Sequence, residues 1–256
     1  MSIVSVGQYE LIYNAFSFTI ATMGAATLFL WLNRGSVAAP YRPAVTVSGL
    51  VTAIALYHYF RIFQSWTSAY TVVNNTITAT GVSFNDAYRY VDWLLTVPLL
   101  LIELILVMRL TPQETLSKSV RLGSLAALMI VLGYPGEVSH DSGTRWIWWV
   151  LAMIPFLWIV FELFVGLKNS ILSQPENVRG LVNGARLLTV ASWSFYPVVF
   201  IFPMIGFTGG AATTAVQVGY TICDILAKAV LGIVVYAIAV RKSARENVSG
   251  LEPVAA

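Results

Sequence analysis

The stretch of sequence that decides the fold is RYVDWLLTVPLLLIE, residues 89–103. It is apolar enough to belong to a membrane-spanning helix, which needs about 20 mostly apolar residues, yet it contains Asp92 and Glu103. A helix turns about 100° per residue, so Thr96 lies about 40° and Glu103 about 20° from Asp92 around the axis. The pattern therefore predicts a membrane helix with one polar stripe.

The composition agrees with a membrane protein. The 256-residue chain is 57% hydrophobic and 11% charged, with a mean hydropathy of +0.75, whereas soluble domains average about 25% charged residues. These values exclude an ordinary water-soluble enzyme. A single cysteine, Cys223, excludes an internal disulfide framework and a cysteine-based zinc site. The net charge of +3 is small and scattered, and does not indicate nucleic-acid binding.

Seven apolar segments are long enough to span a bilayer. They predict an all-α membrane protein, a seven transmembrane helix bundle that forms a single domain over residues 1–256. The predicted spans are 9–32, 44–66, 86–108, 120–137, 144–167, 186–205 and 212–240.

Basic residues between these spans predict the orientation. The first, third and fifth connections and the C-terminal tail carry them, namely Arg34, Arg42, Arg109, Lys118, Arg121, Lys168, Arg179, Arg186, Arg241, Lys242 and Arg245. By the positive-inside rule this side faces the cytoplasm, so the N-terminus is outside and the C-terminus inside. We expect a multi-pass protein of the cell inner (plasma) membrane, in contact with its lipid bilayer. In the extracellular stretch 67–85, two β-branched runs flank Asn74-Asn75 and predict a short β-hairpin.

Ionisable residues within the spans indicate function, because a charge in the bilayer centre costs at least about 2.5–3.5 kcal/mol. Lys228 lies about 18 Å from the inner end of its helix, too deep to reach the surface, and Asp224 lies one turn away. Two explanations stay open at this point: an ion pair that only joins helices, or a reactive lysine that condenses with an aldehyde. Glu162, Arg61 and Arg89 lie nearer span ends and have simpler structural explanations.

Aromatic and small residues supply a possible pocket. Trp93, Trp193, Tyr196 and Pro197 lie at mid-span depth, and Gly133 would let a ligand approach the backbone. An aromatic sleeve around a mid-membrane lysine suits an elongated, apolar aldehyde.

The chain resembles the microbial rhodopsins. The resemblance rests on RYVDWLLTVPLLLIE at 89–103, WSFYP at 193–197 and DILAK at 224–228, and extends over nearly the whole chain. The segments YHYFRIF, GYPGE and VQVGYTI make it most similar to the proteorhodopsin and xanthorhodopsin-like proton pumps.

The resemblance implies a cofactor and roles for the buried charges. It implies all-trans retinal bound to Lys228 as a protonated Schiff base, with Asp92 as proton acceptor and counterion and Asp224 as second counterion. Glu103 matches the cytoplasmic proton donor, and Thr96 completes the Asp-Thr-Glu set of such pumps. Two further residues match functional positions of the family. Arg89 matches the arginine below the counterions, and His58 matches the histidine that pairs with the acceptor carboxylate.

Other positions match the retinal pocket of the family. They are Trp93, Pro98, Leu100, Met129, Gly133, Trp149, Phe156, Trp193, Tyr196, Pro197 and Phe200. In this family, leucine at the position of Leu100 is associated with the absorption of green light.

Three positions depart from patterns known in the family. Val216 stands where archaeal pumps have a proton-release carboxylate, and Phe200 replaces an archaeal tryptophan. Trp149 aligns with the glycine that opens a window for a carotenoid antenna in xanthorhodopsins. An indole there should close the window, so we expect no carotenoid partner.

The leading prediction is a light-driven outward proton pump, an ion transporter and not an enzyme. The main alternative is a sensory photoreceptor that signals to a membrane partner, which Glu103 disfavours because sensors do not need fast reprotonation. Chloride and sodium pumps carry other residues at positions 92, 96 and 103, and a retinal-free transporter would form no pigment. The resemblance also implies a homo-oligomer, a trimer or pentamer, with protons as the transported species and no nucleic-acid partner.

Overall fold

The computed structural model describes residues 4–85 and 87–249. Position 86, the predicted first residue of the third span, lies outside the described residues. The α-helices are α1 Val6–Leu32, α2 Arg42–Ala69, α3 Tyr88–Met108, α4 Pro112–Val138, α5 Ser142–Phe161, α6 Lys168–Leu172, α7 Glu176–Phe200, α8 Gly210–Asp224 and α9 Leu231–Ser249. Three 3-10 turns, Arg34–Ser36, Ala39–Tyr41 and Phe202–Ile205, lie in the connections.

Two π-helical segments complete the long helices. Glu162–Gly166 continues α5, and Ile225–Val230 joins α8 to α9, so that the seventh span is one continuous helical rod. The short helix α6 lies between the fifth and sixth spans. Consecutive long helices pack against each other, and α8 contacts α1, which closes the ring. The predicted seven-helix bundle is confirmed.

The predicted hairpin is also confirmed. Strands β1 Tyr70–Val73 and β2 Thr76–Ala79 pair antiparallel, with Val73 opposite Thr76. Asn74 and Asn75 both have positive φ, 50° and 58°, as the tightest hairpin turns require.

The sixth helix differs most from its predicted bounds. It begins at Glu176, ten residues before the predicted start, because its first half, ENVRGLVNGAR, is too polar to register as an apolar span. It ends at Phe200 and not at residue 205, since Pro203 removes a backbone donor and the chain tightens into the 3-10 turn.

Capping residues explain the early starts of two other helices. Thr111 and Glu114 form a reciprocal capping box at the start of α4. Asp141 accepts a 2.7 Å hydrogen bond from the Thr144 amide at the start of α5, and this bonding lowers the pKa of the Asp141 carboxyl. Both helices therefore begin before their apolar segments do.

The surface of the bundle is suited to lipid. Six helices of the described ranges are long and apolar enough to cross a membrane; the polar first half of α7 keeps it from qualifying. Large apolar side chains point outward from α5, among them Ile154, Leu157 and Phe161, which are each more than half exposed. The charged residues Asp92, Glu103, Asp224 and Lys228 are buried instead. The protein is a multi-pass membrane protein, and these four charged residues lie inside the bundle.

Candidate functional site

The site is centred on Lys228, in the π-helical segment of the seventh span. Its side chain is 1% exposed, and its Nζ donates to Oδ2 of Asp92 on α3 and, at 2.9 Å, to Oδ1 of Asp224. One buried ammonium group thus lies between two carboxylates. The fold brings together residues that are 136 positions apart in the chain.

Asp224 is held by several donors besides the lysine. The hydroxyl of Tyr59 donates to its Oδ2 at 2.7 Å, and the hydroxyl of Tyr196 donates to its Oδ1 at 2.8 Å. The indole nitrogen of Trp93 donates to the same Oδ1 at 3.2 Å. Hydrogen bonds to a carboxylate favour its charged form, so Asp224 is stabilised as an anion.

Asp92 has fewer partners. Within the described residues no hydrogen-bond donor reaches its Oδ1, and Nδ1 of His58 lies 3.8 Å from that oxygen. The same Nδ1 lies 3.0 Å from the carbonyl of Ile54, on its own helix. The structure therefore places His58 beside Asp92 without a direct hydrogen bond. Thr96 donates to the Asp92 backbone carbonyl at 2.8 Å.

One side of the site contains Arg89. This side chain is 2% exposed, and its guanidinium lies 5.5 Å from the ring centres of both Phe16 and Tyr220. Such cation–π contacts help to keep a buried guanidinium in place. Its position on α3, one turn before Asp92, puts a fixed positive charge on one side of the carboxylate pair.

Glu103 lies on the opposite side of the site, eleven residues or about 16 Å along α3 from Asp92. It is fully buried, and within the described residues no hydrogen bond of normal geometry reaches its carboxyl oxygens; the Ser48 side chain is a polar neighbour. An ionised carboxylate with so little support would be very costly there. The surroundings therefore suit a neutral carboxylic acid, which carries a proton.

A cavity of about 110 Å³ is lined in part by Asp224 and Lys228. Most of the predicted pocket residues line it: Trp93, Leu100, Met129, Gly133, Trp149, Phe156, Trp193, Tyr196, Pro197 and Phe200. Pro98 does not line it, although it was expected to. The half-buried side of α3 that carries Pro98 faces Gly123 of α4.

Sequence reasoning missed several residues of the site. Tyr59 binds Asp224, and the cavity is also lined by Tyr90, Val97 and Tyr220. For Tyr59 a signal existed, since a hydroxyl within an apolar span needs a partner. The same signal existed for Tyr90 and Tyr220. For Val97 there was none, because an aliphatic side chain on a membrane helix faces lipid as readily as a pocket.

Trp149 covers the cavity between α5 and α7. It is half-buried, lines the cavity, and donates from its indole nitrogen to the Pro197 carbonyl at 2.9 Å. This bond orients the ring across the gap between the two helices. The indole occupies the space that a glycine at this position would leave open.

The class of protein follows from this combination of a seven-helix bundle and a buried lysine in an aromatic cavity. Residues 11–242 match the family model described as bacteriorhodopsin-like protein. The chain belongs to this family of microbial rhodopsins, whose members bind retinal as chromophore.

Relatives and solved structures narrow the similarity. The chain is 30% identical to the green-light absorbing proteorhodopsin of Gamma-proteobacterium EBAC31A08 over 236 residues, 90% of this chain and 88% of that protein. Its fold matches xanthorhodopsin, described as a light-driven ion pump with dual chromophore, with TM-score 0.93 and 51% identity. Thermophilic rhodopsin also matches with TM-score 0.93, at 43% identity. Each match covers 96% of this chain and 99% of that structure.

The site fits the family's chromophore on structural grounds. The cavity walls are mostly apolar and aromatic, and among the lining residues Lys228 provides the single amine. Gly133 lines the cavity without a side chain of its own. An elongated hydrocarbon with one reactive end group suits such a cavity.

Proposed function

We propose that this protein is a light-driven outward proton pump that carries all-trans retinal bonded to the Nζ of Lys228. The observation that carries the proposal is the placement of Lys228 between Asp92 and Asp224, with the buried carboxyl of Glu103 on the other side. This arrangement provides a proton acceptor on one side of the lysine and a proton source on the other. The relatives' descriptions as proteorhodopsin and light-driven ion pump support the same function.

The two carboxylates next to the lysine have different roles. When bound, retinal absorbs visible light and isomerises, which supplies the energy and changes the surroundings of Nζ. Asp92 then takes the proton from Nζ, because it already accepts a hydrogen bond from this atom and its Oδ1 has no donor within the described residues. Asp224 keeps its charge, because Tyr59, Tyr196 and Trp93 stabilise the anion.

Glu103 restores the proton at Nζ. As a buried neutral acid it has a proton to give, and it lies on the side of Lys228 opposite Arg89. With the N-terminus outside, as the basic connections predict, Asp92 lies toward the exterior and Glu103 toward the cytoplasm. Each cycle then moves one proton outward.

The neighbouring residues support these steps. His58 has its Nδ1 3.8 Å from Oδ1 of Asp92, next to the acceptor carboxylate. Arg89 provides a fixed charge on the release side, and Thr96 anchors the α3 backbone at Asp92. The cavity residues hold the chromophore's chain and ring, and Leu100, which is buried in the cavity wall, favours green absorption.

We also propose that no carotenoid antenna binds. The Trp149 indole is held across the gap between α5 and α7 by its hydrogen bond to Pro197, so a second pigment has no window to the cavity. The protein is proposed to act as a single domain within a homo-oligomer, a trimer or pentamer, in the plasma membrane.

Illumination of cells that express the protein with added all-trans retinal tests the function. In a weakly buffered suspension, light should acidify the medium, and a protonophore should abolish the signal. Alkalinisation that the protonophore enhances would contradict outward proton pumping, because it is the response to passive proton entry driven by transport of another ion. A coloured protein with no pH signal would favour a sensory role.

A further inference from the structure

Lys242, in the middle of α9, is buried although it lies in a basic tail. It is 7% exposed, whereas its neighbours Arg241 and Arg245 are exposed. Its Nζ donates to the carbonyls of Met108 at 2.9 Å and Val107 at 3.1 Å. These are the last two residues of α3, the helix that carries Glu103.

Gln174 completes the contact. This side chain, 5% exposed, accepts a 2.9 Å hydrogen bond from Lys242 Nζ. Its amide nitrogen donates to the Met108 carbonyl at 3.1 Å and to the Ser170 carbonyl at 3.0 Å. Lys242 and Gln174, which we call the latch, thus join the end of α3 and the middle of α9 to the segment that precedes α7.

The latch lies directly beyond Glu103. Val107 is one helical turn, about 6 Å, further along α3, and both Val107 and Met108 are at most 1% exposed. The unpaired carbonyls at the end of a helix need donors, and a cation there is favourable. Capping alone would need only an exposed donor, whereas this ammonium group is buried at the end of α3, between Glu103 and the basic end of the bundle.

The chemistry of the group makes it a barrier to protons. A lysine ammonium has three donors and no acceptor, and all three donors meet protein acceptors here. A water chain that ends at this ammonium group cannot transfer a proton to it. The positive charge of the group also repels an approaching proton. Protons that approach Glu103 from this end of α3 therefore reach it only when the lysine moves away.

We propose that the latch closes the proton-uptake route to Glu103 in the dark and must open before Glu103 regains its proton. This assignment rests on the proposed function in one respect, that Glu103 is the group refilled during pumping. The closed state itself is a property of the dark protein and can be measured without transport.

Hydrogen–deuterium exchange at the Glu103 carboxyl tests the closed state. Infrared spectra of the dark pigment in D₂O give the exchange rate, with the band assigned by Glu103→Gln. Lys242→Met and Gln174→Leu remove the closing bonds and should each speed exchange several-fold. Arg245→Met, which removes the same charge from an exposed position on α9, should leave the rate at the wild-type value.

Flash photolysis with a pH-sensitive dye tests the opening step. Proton uptake should be several-fold faster in Lys242→Met and Gln174→Leu, while proton transfer to Asp92 keeps its wild-type rate. Gln174→Glu places a carboxylate against the ammonium and should slow both dark exchange and uptake. This third variant keeps the test decisive if Lys242→Met does not fold.

Wild-type exchange and uptake rates in Gln174→Leu and Gln174→Glu would overturn the latch, and so would a rate change that Arg245→Met reproduces. Lower thermal stability without faster exchange would show a purely structural cap and would also overturn it. If the protein forms a pigment but does not pump, the dark exchange measurement still decides the latch, so the two proposals fail separately.

Discussion

Asp224 and Lys228 are joined by a 2.9 Å hydrogen bond across the start of a π-helical segment. The segment Ile225–Val230 begins immediately after Asp224 and contains the lysine. Such π-helical insertions in α-helices frequently occur at functional sites. Here the carboxylate at the end of α8 and the amine just beyond it face the same cavity.

Lys228→Ala should abolish pigment formation. The substitution removes the only amine among the residues that line the cavity, so retinal cannot be bonded there. Added all-trans retinal should give no visible absorption band in membranes that contain the variant. Lys168→Ala, at an exposed lysine of α6, is the control and should form the pigment with a normal visible band. A stable visible band in Lys228→Ala would refute the assignment.

Asp92→Asn should abolish transport and shift the absorption maximum to the red. The amide cannot accept the Nζ proton as a carboxylate does, and less negative charge remains beside the cationic nitrogen. Light-induced acidification and the visible spectrum measure the two effects. Transport at a wild-type rate would exclude Asp92 as the acceptor.

Glu103→Gln should slow the return of the proton to Nζ and leave the first transfer to Asp92 unchanged. The amide has no acidic proton to give, while the residues around Lys228 are untouched. Time-resolved absorption separates the two steps, because they occur in sequence. An unaltered decay of the deprotonated state would count against Glu103 as donor.

Tyr59→Phe should lower the free energy of unfolding by about 1.5–3 kcal/mol, the usual contribution of a hydrogen bond to a charged group. The variant removes the 2.7 Å bond to Asp224 at a fully buried site. The free energy of unfolding is measured in detergent, with the loss of the visible absorption band as the signal. Tyr57→Phe, at a position 58% exposed, is the matched control and should change stability by less than about 0.5 kcal/mol. Equal effects in both variants would refute a special role for the Tyr59 bond.

The wild-type protein with added carotenoid should show no carotenoid band in its action spectrum. Trp149→Gly removes the ring that closes the gap between α5 and α7, and should permit energy transfer from the carotenoid. Trp158→Gly, also on α5 but 53% exposed, should not. A carotenoid band in the wild-type spectrum would show that Trp149 does not close the window.

Most of the fold could be predicted from local patterns. Apolar length locates the spans, and Asn74-Asn75 between β-branched runs locates the hairpin turn. The sixth helix starts earlier than its apolar segment, because the polar first half of α7 buries Val178, Val182 and Ala185 against neighbouring helices. A search for apolar segments alone therefore does not detect this part of the helix.

The site could be predicted only in part. The shared face of Asp92, Thr96 and Glu103 follows from helix periodicity, and the depth of Lys228 follows from counting residues. The side on which Pro98 lies, and the 3.8 Å between His58 and Asp92, depend on how each helix is rotated and packed. A single sequence does not show how each helix is rotated relative to its neighbours.

The sequence by itself determined which charges lie in the membrane and in what order along each helix, because helix geometry converts residue number into depth and direction. Only the tertiary structure decided which of those charges meet. It placed Tyr59 against Asp224, left Asp92 with fewer donors, and enclosed Lys242, which the sequence had marked as one more basic residue of the tail. The physical reason is that hydrogen bonds and burial arise between helices, whereas the sequence pattern describes each helix alone.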